Sequence, residues 1–373
     1  MKMSPAQAAR VRELLRGELD WDELLRVSVR HGVMPLVCKH LTGAFAALVP
    51  EKALRDFRHH FEMNAARNLY QTGELCRILR LFESQGIEAI PYKGPALAVC
   101  AYGNVALRQF VDLDILVRPR DVTRASALLA ADGYEPHFKL SAAEEKAFMR
   151  LSYVQLFTRD AGQRAVELHW AIAPRFFSFP LQTERLWQRA ETVKLAGKEV
   201  RAPAPDDLLL LLCVHGSKDL WERLEWVCGI AELTRSGREI EWARLFEHAQ
   251  ELGSLRMILL GLSLAHTLLD APLPPEVLRR IEDDKNIEPL NRLVRARLFA
   301  ENHRAAGVKE TAVFHLKTRE HLRDRVRYCA RLALTTTPVD WASVRLPRSL
   351  AFVYYVLRPF RLMKKYVLSP SRQ

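Results

Sequence analysis

In Phe110-Val111-Asp112-Leu113-Asp114-Ile115-Leu116-Val117 two carboxylates stand one residue apart inside an apolar run. Extended backbone sends alternate side chains to opposite faces. Val111, Leu113, Ile115 and Val117 then face a core, while Asp112 and Asp114 share the other face. Adjacent carboxylates repel unless a cation lies between them, and oxygen-rich pairs of this kind suit Mg²⁺ bridging to substrate phosphates. Taken alone, D-x-D is also the pattern of an ordinary solvated strand face. A second segment, Ala165-Val166-Glu167-Leu168-His169-Trp170, repeats the alternation with Val166, Leu168 and Trp170 inward. Laid beside the first, it brings Glu167 to the aspartates and completes a three-carboxylate cluster. Two divalent ions about 3.5–4 Å apart can then clamp the attacking and leaving oxygens of an in-line displacement. Glu167 is also placed to take the proton of an acceptor hydroxyl. His169 reads first as a packed or hydrogen-bonded neighbour.

Phosphate-binding candidates surround these acids. In Tyr92-Lys93-Gly94-Pro95-Ala96-Leu97 a strand gives way to a helix. Glycine there lets backbone approach a ligand, the helix N-terminus favours anions, and Lys93 adds a full charge. Arg108, four residues before Asp112, is either a phosphate contact or a surface charge, guanidinium being suited to bidentate phosphate recognition. Further on, His215 is explained by core packing, whereas Lys218 can reach a triphosphate from a helical region.

The elements that must position these residues follow from periodicity. Residues 1–85 read as a helical region closed by Gly86. Residues 86–202 alternate strand and helix, with a hairpin of 153–158 and 164–171 around Asp160-Ala161-Gly162 and another at 191–202 around Gly197. Residues 203–305 return to helix, with Asp206 or Asp207 as the expected N-cap after Pro203 and Pro205. Residues 306–373 form a basic C-terminal tail. The fold class expected is α+β, a small mixed sheet between two helical regions.

Composition bounds the rest. The chain has 373 residues, 49% hydrophobic and 27% charged, and a net charge of +12. Residues 311–373 hold 13 Lys or Arg against three acids, a balance of +10 that leaves only +2 for the remainder. No apolar run reaches the roughly 20 residues of a membrane-spanning helix, and the first residues carry no signal-peptide core. A cytoplasmic location is therefore expected. The six scattered cysteines include no C-x-x-C pair, which argues against disulfides or structural zinc. In the tail, Arg348, Arg358, Arg361, Lys364 and Lys365 are interleaved with aromatic and aliphatic residues. It suits either an anionic membrane surface, peripheral to the inner face, or packing on the body; nucleic acid ranks behind both because no nucleic-acid module is present. G-x-G-x-x-G after a strand, a P-loop, a nucleophile elbow and H-E-x-x-H are all missing.

The order Lys93-Gly94, Arg108, Asp112-Leu113-Asp114, Glu167-Leu168-His169-Trp170 resembles the nucleotidyltransferase superfamily typified by DNA polymerase beta. Within it the chain is similar to the bacterial uncharacterised nucleotidyltransferase family, and more distantly to toxin nucleotidyltransferases with a K-G-G loop. The resemblance extends to His215-Gly216-Ser217-Lys218, Trp221, Arg223-Leu224, Trp226, Pro338-Val339-Asp340-Trp341 and Leu346-Pro347. It implies two Mg²⁺ ions, with Mn²⁺ as a substitute, and transfer of a nucleoside monophosphate from an NTP such as ATP. Asp112, Asp114 and Glu167 match the metal-binding and catalytic carboxylates; Lys93, Gly94, Arg108 and Lys218 are the expected nucleotide contacts. Lys93-Gly94 replaces the superfamily's usual Gly-Ser turn, so a serine hydroxyl aimed at the phosphates is lost. The gap from Gly94 to Asp112 is also long. The acceptor, whether small molecule, glycan-related or protein, is not specified. Two other expectations stand beside this one: a non-catalytic binding or regulatory protein of the same fold, and a toxin-like enzyme that modifies tRNA.

Overall fold

The computed structural model describes residues 3–139, 142–300 and 306–335. The basic tail from 346 onward, including Arg348, Arg358, Arg361, Lys364 and Lys365, and the motifs at 338–341 and 346–347 lie outside the described residues.

Four helices open the chain: α1 (Pro5–Leu15), α2 (Trp21–Arg30), α3 (Met34–Leu41) and the long α4 (Glu51–Ser84). Ser4 and Gln7 form a capping box for α1, and Asp20 accepts from the Glu23 N–H to start α2. Gly86, in the left-handed region at φ +65°, turns the chain out of α4. There follow β1 (Ala89–Pro91), α5 (Gly94–Tyr102), β2 (Asp112–Val117), α6 (Val122–Ala131), β3 (Glu135–Pro136), α7 (Ala142–Leu151), β4 (Val154–Arg159) and β5 (Arg164–His169). A short helix, α8 (Thr183–Arg189), precedes the hairpin β6 (Glu191–Leu195) and β7 (Lys198–Ala202).

The five-stranded sheet has the order β1-β2-β5-β4-β3. β2 and β5 are parallel and every other pairing in it is antiparallel, so the sheet is mixed. The strand expected beside β2 is beside it. Asp114 lies opposite Glu167, with Leu113 opposite Val166 and Ile115 opposite Leu168. On one face Leu113, Ile115, Val117, Val166, Leu168 and Trp170 pack with Leu75, Ile78 and Phe82 of α4 and Val122, Ala125 and Leu129 of α6. That burial fixes the register, because a slip of one residue would push the acids into the apolar layer. Val111 is a correction: it is 60% exposed. The strand begins only at Asp112, so alternation does not extend to the residue before it.

On the other face, Leu116 is buried with Ile90, Tyr92, Ile172, Leu186, Trp187 and Leu211. The last of these belongs to a second helical layer: α9 (Pro205–Lys218), α10 (Leu224–Arg235), α11 (Trp242–Glu251), α12 (Leu255–Leu269), α13 (Pro275–Asp283) and α14 (Ile287–Leu298). Helices α9, α10 and α12 share a core of leucine, isoleucine and Trp221. Asp206 and Asp207 do not cap α9; Ala204 precedes it. Both sit in its first turn, where Arg189 reaches them at 2.7 and 2.9 Å and the helix N-terminus favours negative charge.

Two further helices, α15 (Val308–Lys317) and α16 (Leu322–Leu334), complete the described chain. Between them Arg319 is fully buried, with the rings of Phe177 and Tyr328 at 4.9 and 4.3 Å. It donates to the carbonyls of His315 and Phe177. Among the described residues no helix is long and apolar enough to cross a membrane.

A polar knot ties α4 to the sheet. Glu74 accepts from Arg77 at 2.8 Å, the Tyr134 hydroxyl at 2.6 Å and Arg164 at 3.3 Å. Its carboxyl falls to about 2, chiefly through the hydrogen bonds from Arg77, against the upward push of burial. A folded-state value below the unfolded one stabilises the protein above about pH 4.5 and ceases to do so as pH falls through about 2. The stability gap between wild type and Glu74→Gln should therefore shrink between those limits, as read by urea unfolding at several pH values. A gap constant across that window would show that the knot is electrostatically silent.

Candidate active site

The start of β2 and the end of β5 open into a cleft of about 500 Å³. The sheet supplies Asp112, Asp114, Glu167 and His169 to its wall. The helical layer supplies His215, Lys218, Asp219, Arg223 and Trp226, and the N-terminal helices supply Val29 and Arg67. Residues far apart in sequence thus meet around one space.

Asp114 is its electrostatic centre. The carboxylate is 3% exposed and accepts a hydrogen bond from Lys93 Nζ at 2.9 Å. His169 Nε2 lies 3.3 Å from Asp114 Oδ1 and 3.1 Å from Glu167 Oε2. One ligand atom from each of Asp114, Glu167 and His169 falls within 4.8 Å of the others, the arrangement a metal ion needs. Burial pushes the Asp114 carboxyl up, but Lys93 and His169 outweigh it and hold the group well below the usual carboxylate range. His169 is pulled down by burial and raised on balance by its two carboxylate partners. Asp112, two residues back on the same face, is pushed up to about 6 by burial and then by the charges of Asp114 and Glu167.

The turn before α5 is shaped by Gly94. It adopts φ +50°, and an added Cβ would stand 3.2 Å from the Asp112 carbonyl oxygen. Lys93 lines the cleft; Gly94 does not, but its lack of a Cβ lets the turn pack close to the Asp112 carbonyl. Gly94→Ala should cost about 1–2 kcal/mol for the left-handed backbone alone. Denaturant unfolding measures this, and an unchanged midpoint would refute the steric reading.

The other expected contacts behave differently from one another. Lys218 lines the cleft, yet its ammonium binds both oxygens of Asp219 at 2.7 Å. His215 packs edge-on against Trp226, with ring centroids 5.0 Å apart. Burial, then the charges of Lys93 and Lys218, hold His215 neutral. Arg108 is 8% exposed, and its Nε and Nη1 have no hydrogen-bond partner. Its carbonyl is held instead: Asn64 and Asn68 of α4 donate to it at 3.2 and 2.7 Å. Sequence reading missed Arg67 and Tyr153 as cleft residues, and it had Arg223 and Trp226 only as part of the family resemblance, with no role. Arg67 had one available signal, its place between two asparagines on a long helix.

Carboxylates on adjoining strands, a strand–glycine–helix turn beside them and cations across a cleft thus meet at one place on an α+β fold. The chain belongs to the family described as "Uncharacterised nucleotidyltransferase", which matches residues 17–270, more than half its length. Nucleotidyl transfer is thus its class of reaction. Among solved structures, it is similar to the antibiotic-resistance factor ANT(2'')-Ia at 16% identity, over 62% of this chain and 94% of that one, with a TM-score of 0.31. It is also similar to an antigenic nucleotidyltransferase-like protein from Paracoccidioides brasiliensis, at 14% identity over 57% and 92% of the two chains, TM-score 0.35. No curated protein matches it.

Proposed function

We propose that this protein is a divalent-metal-dependent enzyme that moves a nucleoside monophosphate from an NTP to a hydroxyl on a small-molecule, glycan-related or protein acceptor. The observation that carries this reading is the register of β2 and β5, which sets Asp114 against Glu167 at the head of a cleft with Asp112 beside them. The donor set suits Mg²⁺ or Mn²⁺, and the raised Asp112 carboxyl marks an excess of negative charge that a cation would relieve. Asp112, Asp114 and Glu167 would hold such ions, and His169, bonded to two of the three, would orient them. Bound there, divalent cations supply charge neutralisation at the α-phosphate. Glu167 takes the acceptor's proton, while Lys93, Arg108 and Lys218 meet phosphate charge and Gly94 gives the turn its shape. Residues 1–85, 86–202 and 203–305 act on this reading as three walls of one site; helices α15 and α16 pack behind it, and the basic residues beyond them are able to meet an anionic membrane surface.

The test is incubation with each α-labelled NTP and a lysate, for wild type and Asp112→Asn. Label should pass to a discrete species with wild type only. Equal labelling by both proteins would end the proposal. One observation favours a second reading, a binding protein without catalysis: the Lys93 ammonium already neutralises Asp114. That reading requires Mn²⁺ to bind no better to wild type than to Asp112→Asn.

A further inference from the structure

Helix α4 is inverted where it passes the cleft. From Met63 to Gly73 it reads Met-Asn-Ala-Ala-Arg-Asn-Leu-Tyr-Gln-Thr-Gly, with Arg67 as its one charge. The amide side chains turn inward. Asn64 donates to the carbonyls of Ala106 and Arg108 at 3.1 and 3.2 Å, and Asn68 to those of Val105 and Arg108 at 2.7 Å each. Gln71 donates to the Val111 carbonyl at 3.5 Å. The apolar side chains turn outward: Met63 is 61%, Leu69 63% and Tyr70 54% exposed, and Ala66 and Gly73 are exposed as well. A helix on a protein surface ordinarily has the opposite arrangement.

Residues three and four apart share one side of a helix, so Met63, Ala66, Tyr70 and Gly73 form one stripe with Leu69 at its edge. The stripe runs about 15 Å along the helix. Single exposed apolar residues are ordinary, but a contiguous row of them marks an interaction surface. Its position bears on the partner. Arg67, one turn from both Met63 and Tyr70, lines the cleft, and so does the exposed Val111, whose carbonyl Gln71 holds. The stripe is therefore an outward continuation of the cleft wall, and a molecule lying on it is led toward Asp112 and Glu167.

We infer that this stripe docks the acceptor and that the acceptor is a protein, which lays an apolar segment on α4 and offers a serine, threonine or tyrosine hydroxyl to the cleft. This rests on the nucleotidyl-transfer reading above and narrows its acceptor. A small acceptor is contained by the cleft and has no use for about 15 Å of apolar helix outside it. A glycan needs hydrogen-bonding partners, and Met63, Ala66, Leu69 and Gly73 have no side-chain group of that strength. An anionic lipid surface or a nucleic acid needs a row of cations, where the stripe has Arg67 alone. In the transfer, the protein's hydroxyl oxygen bonds to the α-phosphorus, and the bond from that phosphorus to the α–β bridging oxygen breaks. Pyrophosphate leaves with the electron pair, and the hydroxyl proton passes to Glu167. The inward amides join docking to chemistry, because the segment they hold, 105–111, runs directly into Asp112.

The test compares wild type, Met63→Gln, Leu69→Gln and the double variant, each as the full chain, with α-labelled NTP, Mg²⁺ and a lysate separated by gel filtration into protein and small-molecule fractions. Glutamine keeps helix propensity while removing apolar surface. Both positions are exposed, so circular dichroism and NTP binding with Mn²⁺ should match wild type. Wild type should label a discrete, protease-sensitive species in the protein fraction. The double variant should lower the rate by about tenfold or more at limiting protein fraction and recover as that fraction is raised, a KM effect. Label that passes only to the small-molecule fraction, or that survives protease, overturns the inference and leaves nucleotidyl transfer standing. Equal labelling by wild type and the double variant overturns it too. A wild-type dimer in sedimentation that the double variant dissolves would give the stripe to a second copy of the chain and overturn it likewise. No label in either fraction defeats the transfer reading, and this inference falls with it.

Discussion

Asp114→Asn should lower nucleotidyl transfer by about a thousandfold or more, measured as initial rate with saturating NTP and Mg²⁺. The size follows from the work the carboxylate is asked to do. Charge stabilisation by a bound divalent ion is worth several kcal/mol, and about 4 kcal/mol is a factor of a thousand. The substitution keeps the shape of the side chain but strips charge from the group that faces Glu167 across the strand pair and touches both Lys93 and His169. It therefore has a second effect. Lys93, with a side chain only 16% exposed, loses its counter-ion, and leaving one partner of a buried pair uncompensated typically costs about 3–5 kcal/mol. Lys93→Met combined with Asp114→Asn separates the two effects. The double variant should recover much of the stability and none of the activity. A single variant retaining a tenth of wild-type activity would remove Asp114 from the centre of the site.

The second large effect is on folding. The Trp221 side chain is fully buried where α9 crosses α12. An added Cβ on Gly216 would come within 2.5 Å of its ring, and one on Gly261 within 2.9 Å. The two glycines open a slot, and the indole fills it. Trp221→Ala should cost about 3–5 kcal/mol, the range for emptying an aromatic site in a core. Urea unfolding would show a lower midpoint with an unchanged slope. The end of α9 carries His215 and Lys218 into the cleft, so transfer should fall as well. Gly216→Val should reproduce the damage by overfilling the same slot. A loss below 1 kcal/mol for Trp221→Ala would mean that the slot collapses freely.

Much of this arrangement was legible in the sequence because strands with one buried face write their register in alternation. Leu113 and Ile115 on one segment and Val166 and Leu168 on the other share one core, which forces Asp114 and Glu167 to the opposite side. The alternation overreached at Val111, since hydrophobicity alone does not say where a strand begins. The N-cap at Asp206 or Asp207 failed for a local reason: Pro205 opens the helix, so Ala204 is the cap and both carboxylates fall in the first turn, where Arg189 meets them. Lys218 was expected to reach a triphosphate; it lines the cleft, and nothing in the sequence signalled that its neighbour Asp219 would hold its ammonium there. Arg67 left only a faint signal, its place between two asparagines, because what brings it to the cleft is the bonding of those asparagines to the distant Arg108 carbonyl. Pairings between distant elements leave no periodic trace.

The guanidinium of Arg319, set between two rings and bonded to the Phe177 carbonyl, joins residues 142 positions apart. During synthesis at about 5–20 residues per second, Phe177 waits on the order of ten seconds before that partner emerges. The same late helix pair brings His315 to the Lys218 carbonyl at 3.0 Å, directly behind the cleft. A nascent chain can thus build its sheet and gather its carboxylates early, while the floor under Lys218 is still unmade. Competence for transfer would be acquired only after residues 308–334 have emerged, and a ribosome stalled before residue 308 would display a recognisable but unfinished enzyme.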